Sequence, residues 1–180
     1  MEDSNTWGSQ YLRTFRPEEF AATLRRLKPG KSPGLDSIFP KFILHAGSAL
    51  KSWFCDFLNS CMRQLKIPKV GRTALVVAIP EPDKQLGDPK SYRPISLLCV
   101  SFKILERIIY ARVETIIDPL LPQEQAGFRH GRSVVHQVTP LTQDIEDSFS
   151  AKKEAGAVFV DLTAAYYTVW HHGLTWKLLL

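Results

Sequence analysis

The chain has 180 residues, 44% of them hydrophobic and 23% charged, enough apolar material for one domain with a substantial core. Lys and Arg outnumber Asp and Glu by 23 to 18, a net charge of +5 that suits a polyanionic partner without requiring one. No apolar run approaches the roughly 18 residues of a membrane span, and the acidic, polar opening MEDSNTWGSQ lacks the apolar centre of a signal peptide, so no membrane association is expected.

Residues 1–14 read as a flexible tail. RPEEFAATLRRL then has the end signals of a helix. Pro17 suits the first turn, Glu18 and Glu19 the positive end of the dipole, and Arg25, Arg26 and Lys28 the negative end before Pro29-Gly30. Phe20, Leu24 and Leu27 form its apolar stripe, and KPGKSPGLDS follows as a loop. Residues 49–65 predict the clearest helix, with Ala49, Leu50, Trp53, Phe54, Phe57, Leu58, Cys61, Met62 and Leu65 recurring at three and four. TALVVAIP (73–80) has the length and composition of a strand, and EPDKQLGDPKSYRP is a polar, turn-rich loop.

FKILERIIYARVETII predicts a second strong helix, with Ser101 as its cap and Asp118-Pro119 as its stop. PQEQAGFRHGRS is a basic glycine loop. VVHQVTPLTQDIEDSF has helical spacing but contains Pro140, and an interior proline costs roughly 3 kcal/mol, so a kink or a late start is expected there. GAVFVDLT predicts a strand and YTVWHHGLTWKLLL a final helix. Helices with strands inserted among them make α+β the expected class.

Three cysteines, Cys55, Cys61 and Cys99, are an odd number without a CxxC pair, so neither a zinc site nor a disulfide framework is indicated. Reduced, partly buried thiols fit a nuclear or cytoplasmic protein. His171 and His172 are neighbours whose side chains diverge by about 100° on a helix, too far to share one ion. His45, His130 and His136 have no more support as ligands.

Asp161 interrupts the apolar run of the last strand, and a buried carboxylate needs a partner. Two readings are open from the residues alone. It caps the strand end or the next helix, or it holds a divalent cation that supplies the compensating charge.

Four segments occur in order: LKPGKSPGLD at 27–36, SYRPISLL at 91–98, QAGFRHGRS at 125–133 and VFVDLTAAYYTVWH at 158–171, with KILERII between the second and third. Together they closely resemble the reverse transcriptases of non-LTR (LINE-type) retrotransposons, over roughly residues 15–180. The resemblance implies a right-hand polymerase fold of class α+β, truncated here to a fingers-like region, 15–155, and an incomplete start of the palm, 156–180, with its first strand. It assigns Asp161 to the catalytic Mg2+ ions, with the backbone carbonyl of Leu162 as a second metal contact. Ala164 and Ala165 would leave their N–H groups open to triphosphate oxygens. Tyr166 would lie beneath the incoming sugar and exclude a 2′-hydroxyl.

By the same resemblance Arg93 would grip the nucleotide phosphates, a task suited to the two-pronged guanidinium. Gln125, Arg129 and Arg132 would line the template path, where Gly127 and Gly131 permit close approach. The implied partners are an RNA template, a DNA primer and a dNTP; no oligomeric state is implied. Lys28, Lys31 and Lys41 either add phosphate contacts or form a solvated basic face.

The chain departs from the pattern at three points. Tyr167 stands where an aspartate is frequent. Glu81 stands where a lysine is usual, replacing an attraction for phosphate with a repulsion. No Asp-Asp pair occurs anywhere, although two-metal phosphoryl transfer needs several converging carboxylates. The expectation is therefore a reverse transcriptase fragment inactive by itself. The alternatives are a non-catalytic nucleic-acid-binding module and the relic of a decayed element, whose Asp161 strand would be an unpaired apolar edge.

Overall fold

The computed structural model describes residues 13–162, 165–166 and 168–179, so most of the expected tail, Ala164 and Tyr167 lie outside the described residues. The chain divides into the units Met1–Leu121 and Pro122–Leu180. Among the described residues, no helix is long and apolar enough to cross a membrane.

Over its described residues the first unit is built on the helices α1 (Pro17–Arg25), α3 (Ser48–Arg63) and α5 (Val100–Ile117), with the short α2 (Pro40–Leu44) and α4 (Lys69–Arg72). Helix α1 packs on both α3 and α5, and α4 packs on α5. One core gathers Phe20, Leu24 and Leu27 from α1 and the residues after it, Leu58 and, outside the expected stripe, Cys55 from α3, and Val100, Ile104, Leu105 and Ile108 from α5. Phe15 and Ile43 complete it.

A polar side chain buried beside this core has a reason. Asn59 is buried, and its amide both accepts from the backbone N–H of Phe15 and donates to the carbonyl of the same residue at 3.1 Å. A side chain thus stands in for a strand neighbour and satisfies a buried peptide unit, which is costly to leave unpaired. All three cysteines are buried and unbridged, and burial pushes each thiol up from its ordinary range.

Three expectations are corrected here. In α3 the apolar pattern overstates the core, because Leu50, Trp53 and Leu65 are exposed. Leu65 lies past the helix in the left-handed region (φ 49°), where its N–H reaches the Met62 carbonyl and that of Lys66 reaches Cys61. It ends the helix in the position glycine usually takes. Ser101 does not cap α5: the helix starts at Val100 after Cys99, whose thiol donates instead to the Val70 carbonyl at 3.1 Å. The polar loop ends earlier than expected, because Tyr92–Leu97 forms a strand, β2, antiparallel to β1 (Leu75–Pro80). Pro94 lacks a ladder N–H but is tolerated because a two-stranded ribbon has an open edge on both sides.

The second unit carries α6 (Val135–Ser150) and α7 (His171–Leu179). Helix α6 runs through Pro140 without a late start, and none of its residues is buried, so the helix bears the proline on a solvent-exposed stretch. The expected strand GAVFVDLT carries no ladder over its described residues, 156–162; Val158, Phe159 and Val160 are more than four-fifths exposed. A strand is held by hydrogen bonds to a neighbour, and none among the described residues pairs with this segment.

Candidate functional site

In the β1–β2 ribbon, Ile79 pairs with Arg93 and Pro80 with Tyr92, and just beyond the ladder the Glu81 N–H donates to the Ser91 carbonyl at 2.8 Å. Side chains alternate faces along a strand, so Glu81 and Arg93 fall on one face as diagonal neighbours. Arg93 Nε donates to Glu81 Oε1 at 2.8 Å, and Lys84 Nζ lies 2.6 Å from Glu81 Oε2. The two cations hold the Glu81 carboxyl below the usual carboxylate range, Lys84 first and Arg93 second. Glu81, expected only to repel phosphate, has drawn the local cations onto itself.

The turn joining the strands is itself ordered. The Asp88 carboxylate accepts from the Lys90 N–H at 2.9 Å, and the Tyr92 hydroxyl donates to the Leu86 carbonyl at 2.9 Å. Arg93 is therefore presented from a braced ribbon, with its side chain 73% exposed.

The lysine loop at 28–36 is fastened to the neighbouring elements. Lys103 Nζ donates to the Ser32 carbonyl at 3.3 Å, and Arg107 Nη1 to that of Arg26 at 3.0 Å. Gly34 lies against the backbone of Leu98 and Cys99 so closely that a Cβ would come within 2.5 Å of Cys99 N. Lys41 sits over two rings, 5.3 Å from the centre of Phe39 and 5.7 Å from that of Phe42, a cation–π arrangement that leaves its charge on an aromatic surface.

In the second unit the three residues expected on the template path differ in their engagement. Arg129 is half-buried, and its Nη1 donates to the carbonyls of Pro122 at 2.7 Å and Gln125 at 3.3 Å, so it braces its own loop. Gln125 is exposed and donates to the Gly127 carbonyl at 3.3 Å. Arg132 is exposed. Gly131 has φ +73°, a backbone that favours glycine.

Phe128 was not singled out from the sequence. It is 89% exposed, has a left-handed backbone (φ 61°), and meets Tyr166 edge to face with ring centres 6.3 Å apart. The fold thereby brings the glycine loop to the aromatic expected under the sugar. An aromatic between glycine and arginine in a polar loop, with no apolar neighbours to pack with, was the available signal.

Asp161 and Ala165 are exposed, as is Leu162. Asp161 and the Leu162 carbonyl are hard oxygen donors of the kind Mg2+ takes. Among the described residues, however, no group of three or more His, Cys, Asp or Glu side chains is placed to hold a metal ion. One carboxylate does not complete a two-ion site, so these residues do not by themselves fit the expected group.

A sequence profile described as reverse transcriptase (RNA-dependent DNA polymerase) matches residues 79–179, more than half of the chain. The chain is 35% identical over 168 residues to a probable RNA-directed DNA polymerase from transposon BS of Drosophila melanogaster, covering 92% of this chain and 18% of that protein. It is 33% identical over 162 residues to the RNA-directed DNA polymerase from mobile element jockey of Drosophila funebris, covering 89% and 18%. To a putative 115 kDa protein in the type-1 retrotransposable element R1DM of Drosophila melanogaster the identity is 32% over 152 residues, covering 84% and 15%. The chain thus spans less than a fifth of the length of these relatives. With SYRPISLL, QAGFRHGRS and VFVDLTAAY all inside the matched region, the chain belongs to the reverse transcriptase family, in its LINE-type retrotransposon branch.

Proposed function

We propose that this chain is the nucleotide- and template-facing part of a retrotransposon RNA-directed DNA polymerase. Residues 15–155 serve as its fingers-like region and 156–180 as the beginning of its palm. The observation that carries the reading is the ordered run of Arg93, the QAGF loop and Asp161 within the family match at 79–179. Arg93 grips nucleotide phosphate. Asp161 and the Leu162 carbonyl are one part of a Mg2+ site, Ala164 and Ala165 admit the triphosphate, and Tyr166 backs the sugar. Gln125, Arg129 and Arg132 guide an RNA template that is paired with a DNA primer.

Phosphoryl transfer with two ions needs more carboxylates than Asp161, so the chain alone binds without polymerising. A non-catalytic nucleic-acid-binding module is the second reading, favoured by the lack, among the described residues, of any group of carboxylates placed to hold a metal ion. The supporting experiment is fluorescence anisotropy with a labelled RNA–DNA primer-template. Affinity should fall steeply as salt rises, because counterion release drives contacts to phosphate, and Arg132→Gln should weaken binding at low salt. Binding that ignores salt would overturn the proposal.

A further inference from the structure

The ion-pair cluster at the turn of the β1–β2 ribbon has the form of a small anion site already filled. One oxygen of Glu81 takes Arg93 Nε at 2.8 Å and the other takes Lys84 Nζ at 2.6 Å. A phosphate oxygen recognised here would use the same donors, since both groups are anions that favour a guanidinium side edge and an ammonium. Strand register sets this up: residues 79 and 81 of one arm share a face with 91 and 93 of the other. We propose that Glu81 is an internal competitor, holding Arg93 and Lys84 against the triphosphate of an incoming nucleotide and so lowering the affinity of the site.

The inference rests on the reading of Arg93 as the phosphate-gripping residue and adds what governs it. An end-on grip through the two terminal nitrogens of Arg93 leaves the Glu81 contact in place, but the carboxylate still cancels half of the charge that Arg93 and Lys84 supply. A side-on grip requires Glu81 to leave. In either geometry the carboxylate opposes the ligand, so removing its charge strengthens binding through Arg93.

The test is isothermal titration of inorganic triphosphate into the metal-free chain at low salt. Exposed ion pairs are weak, so Glu81→Gln should tighten binding by about two- to fivefold, and Glu81→Lys by more. The gain should vanish when Arg93→Gln is combined with Glu81→Gln. Asp83→Asn is the control for a general change of charge: it removes a carboxylate two residues along the same turn and should leave the affinity where it was. Circular dichroism of each variant should match the parent, because Glu81 lies past the end of β1 and its ion pairs are to the exposed side chains of Arg93 and Lys84.

If Arg93→Gln weakens triphosphate binding but Glu81→Gln does not strengthen it, the competitor role is overturned while the Arg93 reading stands. An equal gain from Asp83→Asn overturns it in the same way. If triphosphate does not bind, or binds indifferently to Arg93→Gln, both ideas fail together. A weakening by Glu81→Gln would make Glu81 a support for Arg93, the opposite of what is proposed.

Discussion

Arg112 grips both carboxylate oxygens of Glu19, Nε to Oε1 at 2.9 Å and Nη2 to Oε2 at 2.8 Å, across 93 residues of chain. The same guanidinium donates to the carbonyls of Arg13 at 2.7 Å and Thr14 at 3.1 Å, and lies over the Phe15 ring at 4.6 Å. It ties the segment entering α1 to α5 and closes one side of the core over Phe15. Glu19 Oε2 also accepts from the Arg16 N–H at 2.8 Å, which begins α1.

These contacts set an acid limit on the fold. The bonds from Arg112, opposed by burial and aided by the Arg16 N–H, lower the Glu19 carboxyl from 4.5 to about 2. A depressed carboxylate contributes stability above its unfolded value and loses it as pH falls towards the folded one, here from about 4.5 down to about 2. Arg112→Ala should cost about 1–3 kcal/mol near neutral pH, because it takes both hydrogen bonds from the part-buried Glu19 carboxylate. Glu19→Gln should cost about 1 kcal/mol and flatten the acid loss. Urea titrations across that pH range check both, and an unchanged acid slope in Glu19→Gln would reject the assignment.

Leu65 gives a prediction in the opposite direction. A left-handed backbone costs an L residue about 1–2 kcal/mol, and Leu65 is exposed, so its side chain returns little packing. Leu65→Gly should therefore stabilise the protein by roughly 1 kcal/mol, the gain from better termination outweighing the freedom added to the unfolded chain. Thermal melts of the two proteins decide it; a lower midpoint for the glycine variant would show that Leu65 makes contacts that matter.

Gly34 is a position where the side chain, not the backbone angle, is the problem. A Cβ there would meet Cys99 N at 2.5 Å and the Leu98 carbonyl carbon at 2.6 Å, and backbone cannot swing aside as a side chain can. Gly34→Ala should cost about 1–3 kcal/mol. Gly30→Ala, in the same loop with nothing within 4 Å of its Cβ, should be close to neutral. Equal midpoints for the two variants would contradict the packing described.

These cases mark how much of the molecule could be read from its residues. The stripes of α1 and α5 were legible because their apolar spacing matches what they bury, Phe20 and Leu24 in one, Ile104 and Ile108 in the other. In α3 the same spacing extends to Leu50 and Trp53, which face solvent, since periodicity shows which residues share a face but not how much of it is covered. The β2 strand was hidden by Pro94, which reads as a break yet fits a two-stranded ribbon.

The site shows the same division. Glu81 was visible as an anomaly, but its hold on Arg93 depends on ribbon register, a relationship between two strands. Phe128 depends on a turn that folds it back onto Tyr166. The missing ladder over 156–162 has the same origin: Val158, Phe159 and Val160 carry strand propensity, and a strand forms only against a neighbour.

The measurement that bears most directly on the account is primer extension by the purified chain on an RNA template with Mg2+ and dNTPs, beside Asp161→Ala. Both proteins should bind the primer-template and neither should add a nucleotide, because two-ion phosphoryl transfer needs several carboxylates and the proposed site has only Asp161. Incorporation by the parent chain that disappears in Asp161→Ala would contradict it, and would mean that a complete metal site assembles from this polypeptide.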